Sequence, residues 1–145
     1  MSTAPGDGGF VVEPVGRIAS PLTDRSAAPM QGHEGAPDAW LVLDARVAAA
    51  ARDLRVGDRL VVLTWFDRAD RSVQVVHPRD DRSAPERGVF STRSPDRPNP
   101  VGLHPVTVRA VEDGGRRLLV GPIEAIDGTP VVDVKPLLPT DGDTL

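Results

Sequence analysis

Cysteine is absent from this 145-residue sequence. That removes disulfides, thiolate catalysis and every cysteine-based zinc or iron–sulfur site. Histidine is scarce: His33, His77 and His104 are the only three, and no two stand at ligand spacing. A structural zinc site or a metalloprotease helix is therefore not encoded. Lysine occurs once, at Lys135, and aromatic residues make up 3% of the chain. The basic, aromatic-rich footprint of many nucleic-acid binders is thus missing. No apolar run approaches the roughly 20 residues that a membrane-spanning helix needs. Residues 1–9 carry Asp7 but no basic side chain. They lack the basic-then-apolar order of a secretory leader, so a cytoplasmic protein is expected. Neither G-x-G-x-x-G nor G-x-x-x-x-G-K-[ST] occurs, and there is no G-x-S-x-G elbow to make a hydrolase nucleophile of Ser91 or Ser94.

The composition that remains is 39% apolar and 26% charged, enough for one domain with a modest core. Fourteen glycines and fifteen prolines divide the chain into short pieces, which favours strands over long helices. The net charge is −4, and all but one of the 17 cationic side chains are arginine. Only the stretch from Arg68 to Arg97 is net positive.

Short apolar runs predict strands at Val11–Ile18, Trp40–Leu43, Arg59–Phe66 and Val73–His77. Alternation predicts another over Val101–Val111, with Val106, Val108 and Ala110 on one side and Thr107 and Arg109 on the other. Asp113-Gly114-Gly115 is a hairpin turn, with a returning strand at Arg116–Ile126. Asp127-Gly128 turns the chain again before Val131–Val134. The alanine-rich stretch from Ala45 to Leu54 is the single candidate helix. Trp40, Trp65 and Phe66, on apolar strands, are read as core. Strands do not alternate with crossover helices, which disfavours a doubly wound sheet. The expected fold is mainly β: a small antiparallel barrel or strongly curved sheet with one short helix. The expected organisation is a flexible segment at 1–10, one barrel domain at 11–139 and a short tail at 140–145.

Two segments could carry chemistry. The first, GVFSTRSPDRPNPVGL from Gly88 to Leu103, holds Arg93, Asp96, Arg97 and Asn99 on a loop stiffened by Pro95, Pro98 and Pro100. Arginine can clamp a carboxylate or phosphate, and asparagine can both donate and accept. The plain alternative is a proline-rich surface connector. The second, IEAIDGTPVVDVKP from Ile123 to Pro136, gathers Glu124, Asp127 and Asp133 near Lys135. Carboxylates there suit a ribose diol, an ammonium or a sulfonium; the alternative is a tight turn with solvated charges. The histidines carry no signal beyond that of structural or exposed residues.

In order and spacing, GVFSTRSPDRPNPVGL, DGTPVVDVKPLLP and the N-terminal VGRIASP resemble the TsaA-like family of TrmO-type tRNA (adenine-N6)-methyltransferases, in a short single-domain form. The resemblance covers roughly Val11 to Pro139. It implies a small β-barrel that uses S-adenosyl-L-methionine without a Rossmann fold, working as a homodimer with the cofactor near the subunit interface. It also implies N6-methylation of threonylcarbamoyl-adenosine next to a tRNA anticodon. Carried over by motif, Met30, Gln31 and Gly32 form one cofactor-contacting loop, with Asp67 and Arg68 at a second position. Arg93 and Leu103 bracket the cofactor, and Ile123, Glu124, Ala125 and Asp127 contribute amides and a carboxylate. Asn99 is the candidate catalytic residue, orienting the acceptor amine. No metal is implied. Two other readings stay open: a methyltransferase for a small-molecule acceptor, and a non-catalytic barrel that binds cofactor or RNA.

Overall fold

The computed structural model describes residues 8–139. The expected tail at 140–145 lies outside the described residues, as do residues 1–7 of the expected N-terminal segment. Eight strands form: β1 (Gly16–Ala19), β2 (Ala39–Leu43), β3 (Arg59–Trp65), β4 (Val75–Val76), β5 (Arg87–Gly88), β6 (Val101–Glu112), β7 (Arg117–Gly121) and β8 (Pro130–Pro136). Six close into an antiparallel barrel in the order β1-β2-β7-β6-β3-β8, and β4 and β5 pair as a separate ribbon. The expected barrel is therefore present.

Alternation sets the faces. On β6 the even positions Gly102, His104, Val106 and Val108 are buried; a bulge between Val108 and Ala110 then turns Val111 toward the core in place of the expected Ala110, and on β7 Val120 and Leu118 are buried opposite Val108 and Val111. Ile18, Leu41, Leu60, Val62 and Val131 complete the interior from the other four strands. Each such aliphatic side chain contributes about 1.5–3 kcal/mol by leaving water.

Several local expectations are corrected. The first strand begins at Gly16, not Val11, and Val11 and Val12 are exposed. Pairing starts only where Gly16 meets Leu43 on one side and Val131 on the other. The returning strand ends at Gly121 because Pro122 has no N–H to offer a ladder. The strand expected at Val73–His77 is reduced to Val75–Val76. The helical stretch is a 3-10 helix over Ala45–Ala51. Seven residues are too few to hold an α-helix unaided, and this one is held by Val47 and Ala51 packing on the barrel's core. Trp40 and Trp65 are half-buried on the outer wall, where the guanidinium of Arg117 lies 4.7 Å from one ring and that of Arg71 lies 5.1 Å from the other. Phe66 is half-buried just beyond β3.

Strand direction separates the two ends of the barrel. At one end, residues 44–58 and 113–116 make compact connections. At the other, β1, β3 and β7 run out into the connections 20–38, 66–100 and 122–129. Every candidate site residue lies on those three loops, except Leu103 at the start of β6.

Candidate functional site

Within the barrel's loop-bearing end sits a buried polar chain. His104 faces inward between Gly102 and Val106, 1% exposed. Its Nε2 lies 2.7 Å from Thr64 Oγ1 on the neighbouring strand, and its Nδ1 lies 2.6 Å from Glu124 Oε1. Phe66 packs edge-on against the imidazole, with ring centroids 5.7 Å apart. Gly102 makes room for this cluster: a Cβ there would stand 2.6 Å from Phe66 Cζ and 2.7 Å from His104 Nε2, and would also collide with Thr64 Oγ1. Glu124 is the end of the chain that reaches the surface, its side chain 13% exposed.

The loops around Glu124 are fastened to one another. Gly32 approaches so closely that a Cβ would meet Pro122 O at 2.8 Å and Glu124 Oε2 at 3.1 Å. Ile123 N donates to Pro37 O at 3.0 Å, and Asp127 N donates to Leu22 O at 2.7 Å. Asp127 Oδ1 accepts from Ser20 N at 3.0 Å. Loop 20–38 also reaches loop 66–100: Arg79 pairs with Glu34 at 2.7 Å, and Arg25 pairs with Asp96 at 3.1 Å while donating to Arg68 O at 3.3 Å. The hydrogen bond from Arg79 holds the Glu34 carboxyl below its ordinary value.

The motif-derived residues thus divide into groups. Gly32 and Glu124 come together directly, with Met30 exposed and Gln31 half-buried on the same loop. Asp67 and Arg68 are exposed, and Arg68 is tied in through its carbonyl by Arg25. Ile123 and Ala125 point into the core, leaving only their backbones to meet a ligand. The amides of Ile123 and Asp127 are already used, whereas those of Glu124 and Ala125 have no partner among the described residues. Leu103 is half-buried on the outer wall opposite Leu63.

The proline-rich loop presents less than its sequence promises. Arg97 turns inward and donates to Thr92 O at 2.7 Å and to Val89 O. Asp96 Oδ1 accepts from Asp70 N at 2.9 Å as well as from Arg25. Asn99 Oδ1 accepts from Arg71 Nη2 at 2.9 Å, and Arg71 Nε donates to Pro98 O at 2.7 Å. These side chains build the loop itself. Arg93 is exposed and makes no hydrogen bond or ion pair among the described residues, so it is the arginine of this loop left for a ligand. Asp133 and Lys135 pair with each other on β8 at 3.6 Å, away from Glu124's hydrogen-bond network.

His104 is the residue that sequence reasoning passed over. The signal was its parity: it shares the inward face of β6 with Val106 and Val108. A histidine on such a face needs polar partners brought from elsewhere.

A model of the tRNA-methyltransferase O N-terminal domain matches residues 17–142. A probable S-adenosyl-L-methionine-binding protein of Archaeoglobus fulgidus is 43% identical over 123 residues, covering 84% of this chain and 32% of the relative. The chain therefore spans about a third of that relative's length. An S-adenosyl-L-methionine-binding protein of the same organism is 36% identical over 131 residues, covering 90% of this chain and 91% of the relative. A TrmO crystal structure superposes with a TM-score of 0.75 at 30% identity, covering 95% of this chain and 61% of that one. TrmO from Pseudomonas aeruginosa gives 0.74 at 28%, covering 94% and 60%. With its closed six-stranded barrel and its candidate site on the loops at one end, the chain belongs to the tRNA-methyltransferase O N-terminal domain family.

Proposed function

We propose that this protein is an S-adenosyl-L-methionine-dependent methyltransferase that methylates N6 of threonylcarbamoyl-adenosine in tRNA. The observation that carries the reading is the meeting of Gly32 with Glu124 at the mouth of the barrel, in a chain of this family. The residues present fit the cofactor. Glu124 offers a carboxylate, the free amides of Glu124 and Ala125 offer donors, and unpaired Arg93 can clamp the cofactor's carboxylate. S-adenosyl-L-methionine, when bound, supplies a methyl group on a positively charged sulfur.

The protein's part is to hold donor and acceptor in line. Such positioning can lower a barrier by up to about 7–11 kcal/mol. N6 of threonylcarbamoyl-adenosine is a weak nucleophile because its lone pair is delocalised into both the ring and the carbamoyl group, and its one proton must leave to solvent as the methyl arrives. A polar acceptor beside it draws out that lone pair and meets the charge that develops. Asn99 serves there through its remaining acceptor capacity, its Oδ1 being oriented by Arg71. A homodimer belongs to the same reading. Phe90 is 86% exposed near Arg93, and Val101, two residues before Leu103, is 44% exposed. A second copy covering these residues would close a site that one chain leaves open. Two copies of the net-positive stretch 68–97 would also give an otherwise acidic protein a groove for RNA.

The test is methyl transfer from labelled S-adenosyl-L-methionine to bulk tRNA, followed by mass analysis of the nucleosides. Methylated threonylcarbamoyl-adenosine is expected. Cofactor binding without transfer to any tRNA would refute the RNA substrate and leave a small-molecule acceptor or a sensing role, both compatible with the −4 net charge.

A further inference from the structure

Building on that reading, we propose that Glu124 recognises the sulfonium charge of the cofactor, and that His104 and Thr64 are positioning residues that hold its carboxylate for this purpose. The two oxygens of Glu124 have different duties. Oε1 is engaged by His104 Nδ1 at 2.6 Å, and Nε2 of the same ring meets Thr64 Oγ1 at 2.7 Å. A neutral imidazole protonated on Nδ1 satisfies the whole chain. It donates to Oε1 and receives the Thr64 hydroxyl proton on Nε2. One oxygen of the carboxylate is then left uncommitted.

That oxygen, Oε2, faces the backbone of Gly32, where a Cβ would stand 3.1 Å away. Glycine keeps this approach open. Among the described residues no arginine or lysine pairs with Glu124; Arg79 is held by Glu34 and Arg25 by Asp96. A largely buried carboxylate whose one partner is a histidine ring is short of positive charge, and a cationic ligand supplies it. The number of free oxygens selects among the cofactor's groups. A ribose diol is best clamped by both oxygens of a carboxylate, and an ammonium brings three donors that call for several acceptors. A sulfonium brings charge without a donor, and a single fixed oxygen is enough for it.

The experiment compares S-adenosyl-L-methionine with S-adenosyl-L-homocysteine, the uncharged thioether, by calorimetry at pH 8 on the full chain. Wild type should prefer the charged form. Glu124→Gln should lose about tenfold to a hundredfold in affinity for the sulfonium and less than about threefold for the thioether. His104→Asn keeps a donor near the Nδ1 position and should retain most of the discrimination. His104→Leu should lose it as Glu124→Gln does. Should His104→Leu fail to fold, Thr64→Val supplies the second reading, because it removes only the hydroxyl and should narrow the preference. Equal weakening of both ligands by Glu124→Gln would overturn the proposal by assigning Glu124 to a group the two ligands share. No weakening of either would remove Glu124 from the site. Failure of wild type to bind either ligand would instead refute the proposed function itself.

Discussion

Replacing Gly102 by alanine tests the packing around the buried polar chain. The added methyl would stand 2.6 Å from Phe66 Cζ and 2.7 Å from His104 Nε2, and would overlap Thr64 Oγ1. Thr64 is 0% exposed and β-branched, and His104 is 1% exposed, so neither can swing aside into solvent. Overpacking of this kind costs about 1–3 kcal/mol. Two of the three atoms are the partners of one buried hydrogen bond, and parting them adds about 1–3 kcal/mol for groups left unsatisfied. The expected loss is about 2–6 kcal/mol, or a fall in melting temperature of about 6–18 °C for a domain of this size. Thermal and urea unfolding followed by circular dichroism would read it. A fall of less than about 3 °C, with the His104 ring resonances unshifted, would show that the barrel yields here and that space is not why glycine occupies the position.

Two further outcomes are expected. Arg93→Ala should weaken S-adenosyl-L-methionine binding about tenfold while leaving the melting temperature unchanged, since the side chain is exposed and holds no other residue among the described ones; unchanged affinity by calorimetry would take Arg93 out of the site. Asp70 and Asp81 have carboxyls held below the ordinary 3.8, chiefly by the hydroxyls of Ser72 and Ser83. Because the folded values lie below the unfolded ones, these turns contribute fully above about pH 3.8 and lose their contribution as pH falls through the lowered values. Ser72→Ala and Ser83→Ala should each move the neighbouring carboxyl's titration back up toward the ordinary value, as followed by NMR. A titration that does not move would mean that other groups depress it.

Much of the barrel could be read from the chain because its middle strands follow simple rules. Arg59–Trp65 is nearly all apolar, and residues 101–108 alternate cleanly; the bulge that follows, which brings Val111 rather than Ala110 to the core, has no mark in the pattern. Strand limits were less legible where pairing, not pattern, decides them. Val11 and Val12 look like strand residues but have no neighbour to pair with, and Pro122 stops a run that hydrophobicity alone would continue. The tryptophans misled because a closed barrel has an outer wall as well as an interior, and an arginine can cover a ring there as well as a core can. At the candidate site, the motif residues lie on loops that the fold gathers at one end of the barrel. They could not say which side chains face a ligand: Arg97 looks as available as Arg93, yet its guanidinium is spent on the carbonyls of Val89 and Thr92. The chain Thr64–His104–Glu124 joins three separate segments, and only the barrel's register brings them together.

The close approach of Gly32 to residues 122–124 has a practical meaning for anyone wishing to redirect this scaffold. Loops 20–38 and 122–129 are two pieces of chain but one working part. Transplanting either alone from a relative would set a foreign contour against Pro122 O or Glu124 Oε2, and any residue larger than glycine at position 32 would push them apart. Exchanged as a matched pair, they leave the opposite end of the barrel, with its compact connections at 44–58 and 113–116, undisturbed. New ligand preferences are therefore to be sought by swapping the two loops together.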